Sequence, residues 1–412
     1  MKEWKTYTLG NLCTITSSKR IFAEEYQSTG VPFYRGKEVI ELQKGASISS
    51  ELFISEERYD EIKNKHGVPR KGEMLLTSVG TLGIPYVIGN ERFYFKDGNL
   101  TWFRNFNEII PQYLYYWFLS PAGRAQIDSK AIGSTQKALT IDCLSKFEIV
   151  IPPLKEQKRI VSILESIDNK IRTNQAINDN LEQQAQALYM SWFVDFEPFK
   201  DGKFEESEIG LIPERWCVGK AEDFYEINIG KTPPRKEHEW FTLDKSQNIW
   251  VSISDLGSDS RFIFDSSEYL TDKAIQKHNI VLVPENTVLL SFKLTIGRVG
   301  IAGTQLTTNE AIARFITNSV NREYTYFLLK NFNYSKLGST SSIATAVNSK
   351  IIKAMMILMP NDECLLNFKK LVGPIIDGIK KNEEEILHLT ELRDTLLPKL
   401  MSGELKINEI DC

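Results

Sequence analysis

Basic side chains set among small hydroxyl and amide side chains recur along this 412-residue sequence, and that mixture suits contacts with nucleic acid. In the first half the groups are Lys19-Arg20, Arg35 with Lys37, Arg70-Lys71, Ser78 through Thr81, and Gln136-Lys137. In the second they are Lys231, Arg235-Lys236, Lys293 through Arg298, and Ser339-Thr340. Lysine ammonium groups and small hydroxyls suit phosphate oxygens, whereas arginine, glutamine and asparagine address base edges in the major groove with paired hydrogen bonds. Taken singly, each group is an ordinary surface turn. Their recurrence at matching places in both halves is what gives them weight.

Catalytic signatures are missing from the sequence. It has no GxxxxGK[ST] phosphate loop, no [ND]PP[YF] motif of an amino-methyltransferase, no GxSxG and no HExxH. Five cysteines (Cys13, Cys143, Cys217, Cys364, Cys412) are scattered without CxxC spacing, which reads as reduced thiols with no metal site. The sequence therefore predicts a protein that is not an enzyme and needs no cofactor. The start MKEWKTYTLG lacks an apolar signal core and no apolar run approaches ~20 residues, so a cytoplasmic protein without a membrane span is expected.

Net charge is −4, which argues against indiscriminate coating of nucleic acid but not against a local basic surface. Residues 286–353 carry eight Lys plus Arg against two Glu, so an anion-binding surface belongs to the non-helical parts of the chain.

Those parts have to be held by something, and the sequence supplies two helices. From Ile160, steps of four and three give Leu164, Ile167, Ile171, Asn174, Asn178, Leu181, Ala185, Leu188 and Trp192. Eight of these ten positions are apolar or Ala within a polar stretch, the pattern of a helix with a narrow coiled-coil seam. The same steps from Phe368 give Val372, Ile375, Ile379, Asn382, Ile386, Leu389, Arg393, Leu396 and Leu400, each 208 positions after its counterpart. Pro152-Pro153 suits the lead-in to the first helix. Gly373-Pro374 predicts a kink or restart in the second, and Pro398 its end.

Each helix follows a segment of more than one hundred mixed, mostly β residues, and those segments also repeat. GEMLLTSVGTLGI (72–84) matches ENTVLLSFKLTIGRVGI (285–301), placing Thr81 over Thr295 and Gly83 over Gly297. IGST (132–135) likewise matches LGST (337–340). The chain thus reads as residues 1–151, a recognition domain; 152–200, a helix and acidic connector; 201–359, a second recognition domain; and 360–412, a second helix. The first helix leads from one domain to the next, and at ~1.5 Å per residue it is about 60 Å long. The second helix starts from domain two, so a shared seam makes the pair antiparallel. The fold class expected is α+β: two β-rich domains related by a pseudo-twofold and joined by two long antiparallel coiled-coil helices. Facing Asn174 with Asn382 pairs Ile160 with Leu396, Ile167 with Leu389, Leu181 with Ile375 and Leu188 with Phe368, every pair apolar.

The repeated junction closely resembles the specificity subunits of Type I restriction-modification systems. The residues that carry the resemblance are GST, a strand, then IPPLKEQKRIVSILESIDNKI, and in the second copy GST through ILMPNDECLLNFKKLVGPIIDGI, ending LTELRDTLLPKLMSGEL. It spans the whole chain, although NDEC replaces the expected LxEQ in the second copy. The resemblance implies a non-catalytic reader of a bipartite double-stranded DNA sequence, one half-site per domain, with the helix pair as a ruler for the spacer. Half-sites about one helical turn, ~34 Å, apart would place both domains on one DNA face. It also implies methyltransferase subunits, which bind adenosylmethionine, docked on the helices and domains, and a motor-nuclease restriction subunit that joins for cleavage. A coiled-coil protein-interaction scaffold without DNA specificity is the competing expectation.

Overall fold

The computed structural model describes residues 4–45, 48, 52–131, 137–257, 260–317, 320–337 and 347–405. The chain forms two compact units, residues 1–172 with 388–412, and residues 173–387. Both long helices contribute to both units: Leu154–Phe193 and Asp362–Ser402.

The first long helix begins just past the two prolines, where Glu156 N–H donates to the Pro153 carbonyl at 2.8 Å. Asn361 opens the second by accepting from the Cys364 N–H at 2.9 Å, an N-terminal cap. In unit 1, Ile160, Val161 and Leu164 share a core with Leu397, Leu400 and Met401 and with Tyr113, Trp117 and Phe147. The Trp4 ring lies against Gly403, whose φ of +75° is a left-handed conformation that favours glycine just after a helix. In unit 2, Leu181, Leu188, Trp192 and Phe193 pack with Phe368, Val372, Ile376 and Ile379. There the two helices run antiparallel: Leu181 lies beside Gly378, and the Phe193 ring is 4.8 Å from that of Phe368.

The seam has apolar residues where the stepping placed them, but its register differs from expectation by about one turn. Asn382 Nδ2 donates to Asn178 Oδ1 at 2.8 Å, and Asn174 Nδ2 donates to Glu385 Oε2 at 2.8 Å. In unit 1, Arg393 reaches Asp168 at 3.1 Å in a matching offset. A seam apolar on both sides tolerates such a slip, so hydrophobic pattern alone does not choose between adjacent registers. The expected restart at Pro374 and stop at Pro398 do not occur; the second helix is continuous to Ser402. Pro374 and Lys370, whose carbonyl loses its N–H partner, are both exposed, so water can satisfy that carbonyl.

The sheet-bearing part of each unit is built to one plan. In unit 1 an antiparallel sheet orders Thr14–Thr16, Leu100–Arg104, Met74–Thr77 and Pro85–Val87. In unit 2 the same order is Glu226–Ile229, Ile312–Ile316, Val288–Ser291 and Val299–Ala302, extended by Phe262–Ile263. A smaller sheet in each ends in a parallel pair, Val31–Tyr34 with Tyr94–Phe95 and Asn248–Val251 with Thr307–Thr308. Antiparallel ties Lys5–Thr8 to Glu148–Ile151 and Cys217–Lys220 to Met356–Met359 join the ends of each domain. Just past the acidic connector lies a hairpin, Phe204–Ser207 with Gly210–Pro213, and the connector's Phe196 and Phe199 rings lie 5.7 and 5.0 Å from Trp216. The aromatic residues, which have no period, give it a core.

Candidate nucleic-acid interface

In unit 1, segments far apart in sequence meet at one end of the main sheet. Ser18 Oγ donates to the Phe95 carbonyl at 2.8 Å, the Lys19 N–H to the Tyr94 hydroxyl at 2.6 Å, and Arg20 Nε to Asp97 at 2.8 Å. The Ser78 N–H donates to the Asn99 carbonyl at 2.8 Å and the Leu139 N–H to the Ser78 carbonyl at 2.9 Å. The Lys96 N–H bonds the Tyr34 carbonyl at 2.9 Å, which brings in Arg35 and Lys37. Segments 17–20, 34–37, 77–83, 95–99 and 137–139 therefore form one loop cluster.

Unit 2 repeats two of these bonds. The Phe292 N–H donates to the Ala311 carbonyl at 2.9 Å, as Ser78 does to Asn99, and the Asn309 N–H to the Val251 carbonyl at 3.0 Å, as Lys96 does to Tyr34. The central turn is latched identically in both. Thr77 Oγ1 accepts from the Ile84 N–H at 2.9 Å, and Ser291 Oγ accepts from the Arg298 N–H at 3.0 Å. Gly83 and Gly297 donate to the carbonyls of Thr77 and Ser291 from left-handed φ values of +70° and +90°, which glycine adopts freely.

A sequence-family comparison bears directly on this duplicated construction. The family of the Type I restriction modification DNA specificity domain matches residues 1–183 and again 213–364. The chain belongs to that family. It is 26% identical to the Type I restriction enzyme MjaIX specificity subunit of Methanocaldococcus jannaschii, over 99% of this chain and 95% of that one. It is 24% identical to the HindI specificity subunit of Haemophilus influenzae, over 98% and 100%. The fold matches the crystal structure of the Type I restriction-modification S subunit from M. genitalium, with a TM-score of 0.59 at 14% identity and 96% coverage of both chains.

Within each specificity domain the sequence-predicted residues fall into distinct classes. Lys19, Arg20, Lys37, Thr81 and Lys137 are exposed on the first loop cluster, with Arg20 held by Asp97 and Lys37 3.7 Å from Glu41. Arg35 is half-buried, its guanidinium donating to the buried Glu38 at 2.7 Å. Burial pushes the Glu38 carboxyl up, but hydrogen bonds from the Arg35 side chain and backbone outweigh it and hold the group below the usual carboxylate range. Ser78 does not belong to the surface. It is 2% exposed and its hydroxyl is 2.5 Å from that of Thr101, because it continues the strand inward.

In the second domain Lys236 and Lys293 are exposed, and Lys231 Nζ donates to the carbonyls of His278 and Asn279 at 3.2 and 2.9 Å. Arg235 lies over Phe241 and Trp250, 4.2 and 4.6 Å from the ring centroids, with Glu268 at 2.8 Å. Arg298 is half-buried, Nη1 donating to the Ile253 carbonyl at 2.8 Å, and so serves as a brace for the cluster. Gln136, Ser339 and Thr340 lie outside the described residues.

Sequence reasoning missed Lys96, which reaches the first cluster through the parallel pairing of Val31–Tyr34 with Tyr94–Phe95, and Asn99, which is brought there by the antiparallel pairing of Thr77 with Leu100. It also missed Leu294, fully exposed at the tip of the second turn with φ +59°. An apolar tip between Lys293 and Thr295 suits a thymine methyl group. The one available signal was its place between two polar residues in a loop already singled out.

Proposed function

We propose that this chain is the DNA-reading, non-catalytic subunit of a Type I restriction-modification complex. Each domain reads one half-site of a bipartite double-stranded target through its loop cluster, and the helix pair sets the spacer between them. Exposed Lys19, Lys37, Lys137, Lys236 and Lys293 position the phosphates, while Arg20, Thr81, Arg235 and Leu294 face base edges. Methyltransferase subunits dock on this chain, and a restriction subunit joins them for cleavage.

The observation that carries the reading is the bond-for-bond recurrence of the latched turn, Thr77 to Ile84 and Ser291 to Arg298, on equivalent sheets. A scaffold for unrelated protein partners has no need of two copies of one reading head. Selection from a random-sequence DNA library, using this chain with its methyltransferase subunit, tests it. The expected product is two short fixed sequences separated by a fixed number of unspecified bases; no enrichment would favour the scaffold.

A further inference from the structure

A groove of about 880 Å³ in unit 2 runs between the domain helix Arg322–Asn331 and the second long helix. Its lining includes Asn286, Phe315, Val320, Leu366 and Gly373, and Glu323. Glu323 is 2% exposed. Its Oε1 accepts from Arg322 Nε at 2.9 Å, while Oε2 has no hydrogen-bond partner among the described residues. The remaining Arg322 nitrogens are committed to Asn286 and Asp377. Leaving a buried carboxylate oxygen without a donor is unfavourable, so this atom points to a donor arriving from outside the chain.

Unit 1 has a groove in the same place. Lys158, Val161, Ser162, Glu165, Ser166 and Asn169 line about 420 Å³, and each lies 208 positions before a residue lining the groove of unit 2. Glu165 also lines a neighbouring cavity of about 340 Å³ that includes Lys71, Gly72 and Gln112. The counterparts of those three, Glu285, Asn286 and Glu323, lie in the single groove of unit 2. Glu165 is thus the partition in unit 1, and its repeat position in unit 2 is Gly373. The carboxylate has changed sides: Glu323 Oε1 is 3.9 Å from where a Cβ on Gly373 would stand.

We propose that the undivided groove of unit 2 receives a lysine or arginine side chain of the methyltransferase subunit, which donates to Glu323 Oε2, and that Gly373 keeps the space open for it. The inference rests on the reading above that this chain assembles with such a subunit. Leu366, 53% exposed on the rim, offers the apolar surface that a long basic side chain needs along its stem.

The test is calorimetric titration of the full chain with the methyltransferase subunit of the same system. Gly373→Gln puts a side chain as long as the partition of unit 1 into the groove without setting a second carboxylate beside Glu323. It also raises helix propensity, and its Cβ meets only ordinary contacts at 3.8 and 3.9 Å, so the thermal midpoint should hold. Affinity should nevertheless fall at least about tenfold, and Glu323→Gln, which keeps the shape, should weaken binding about tenfold. Lys369→Ala should bind as wild type. Either of the first two variants binding as tightly as wild type overturns the site, and so does Lys369→Ala behaving like Glu323→Gln, since the donor is then internal. A wild-type chain that fails to bind the subunit overturns the functional reading and this site with it.

Discussion

Asn382 Nδ2 donates to Asn178 Oδ1 across 2.8 Å, joining the two long helices of unit 2 through an amide pair in a largely apolar seam. Asn178 is 1% exposed and Asn382 half-buried, so the Asn178 amide cannot lose its partner without consequence. Asn178→Leu alone should destabilise unit 2 by about 1–3 kcal/mol, the usual result of stranding one partner. Asn178→Leu with Asn382→Leu should recover or exceed wild-type stability, because well-packed apolar pairs often replace buried polar ones without loss. Chemical denaturation of the three proteins checks this. A double variant as weak as the single would show that the pair holds more than itself.

Two carboxylates grip the segment around Arg261 with opposite pH dependence. Burial raises Glu182, but hydrogen bonds from Lys330 and Tyr326 and the charge of Arg261 outweigh it and leave its pKa below the usual 4.5. Its contribution is therefore present above pH 4.5 and lost as pH falls through the lowered value. Glu383 accepts from the Arg261 and Phe262 N–H groups, yet burial dominates and its pKa is raised. Its contribution is full below 4.5 and declines as pH rises through the raised value. The destabilisation by Glu182→Gln, of order 3 kcal/mol at neutral pH, should shrink on acidification. That by Glu383→Gln should shrink in the other direction. Melting curves from about pH 2.5 to 8 separate them, and parallel curves for both variants would contradict the assignment.

Lys19 and Lys137 are exposed on the first loop cluster, where phosphate contact is the role proposed for them. Replacing either with Ala should weaken binding to all target sequences alike and reduce the slope of log affinity against log salt by about one. A change in preferred sequence with an unchanged slope would make that lysine a base reader.

The Thr77 and Ser291 hydroxyls latch the central turns. Thr77→Val removes one hydrogen bond and Ser291→Ala two, since the Ser291 hydroxyl also donates to the Thr295 carbonyl at 2.7 Å; each bond is worth about 1 kcal/mol, and each variant loosens one turn. Each variant should relax sequence preference in a different half of the target, scored by library selection. Relaxation of both halves by one variant would count against separate reading heads.

Much of this was legible in the sequence because duplication exposes itself. The 208-residue offset carried the seam, and the match of Thr81 with Thr295 and Gly83 with Gly297 carried the equivalence of the turns. What escaped depended on geometry that pattern does not encode. Asn174 and Asn178 are both seam positions one turn apart, and either could meet Asn382 while keeping apolar residues opposite one another. Ser78 looked like a loop residue because its partner Thr101 comes from a distant strand. Lys96 joins the cluster through a pairing some sixty residues apart and Asn99 through the pairing of Thr77 with Leu100, which no local spacing announces.

The central claim is that one head reads one half of a split target. Methylome sequencing of cells carrying the complete system, with the wild-type chain and with Arg235→Ala, tests it most directly. The account predicts a bipartite motif whose spacer is unchanged and whose preference alters in one half only. A continuous motif, or changes in both halves from this single substitution, would contradict it.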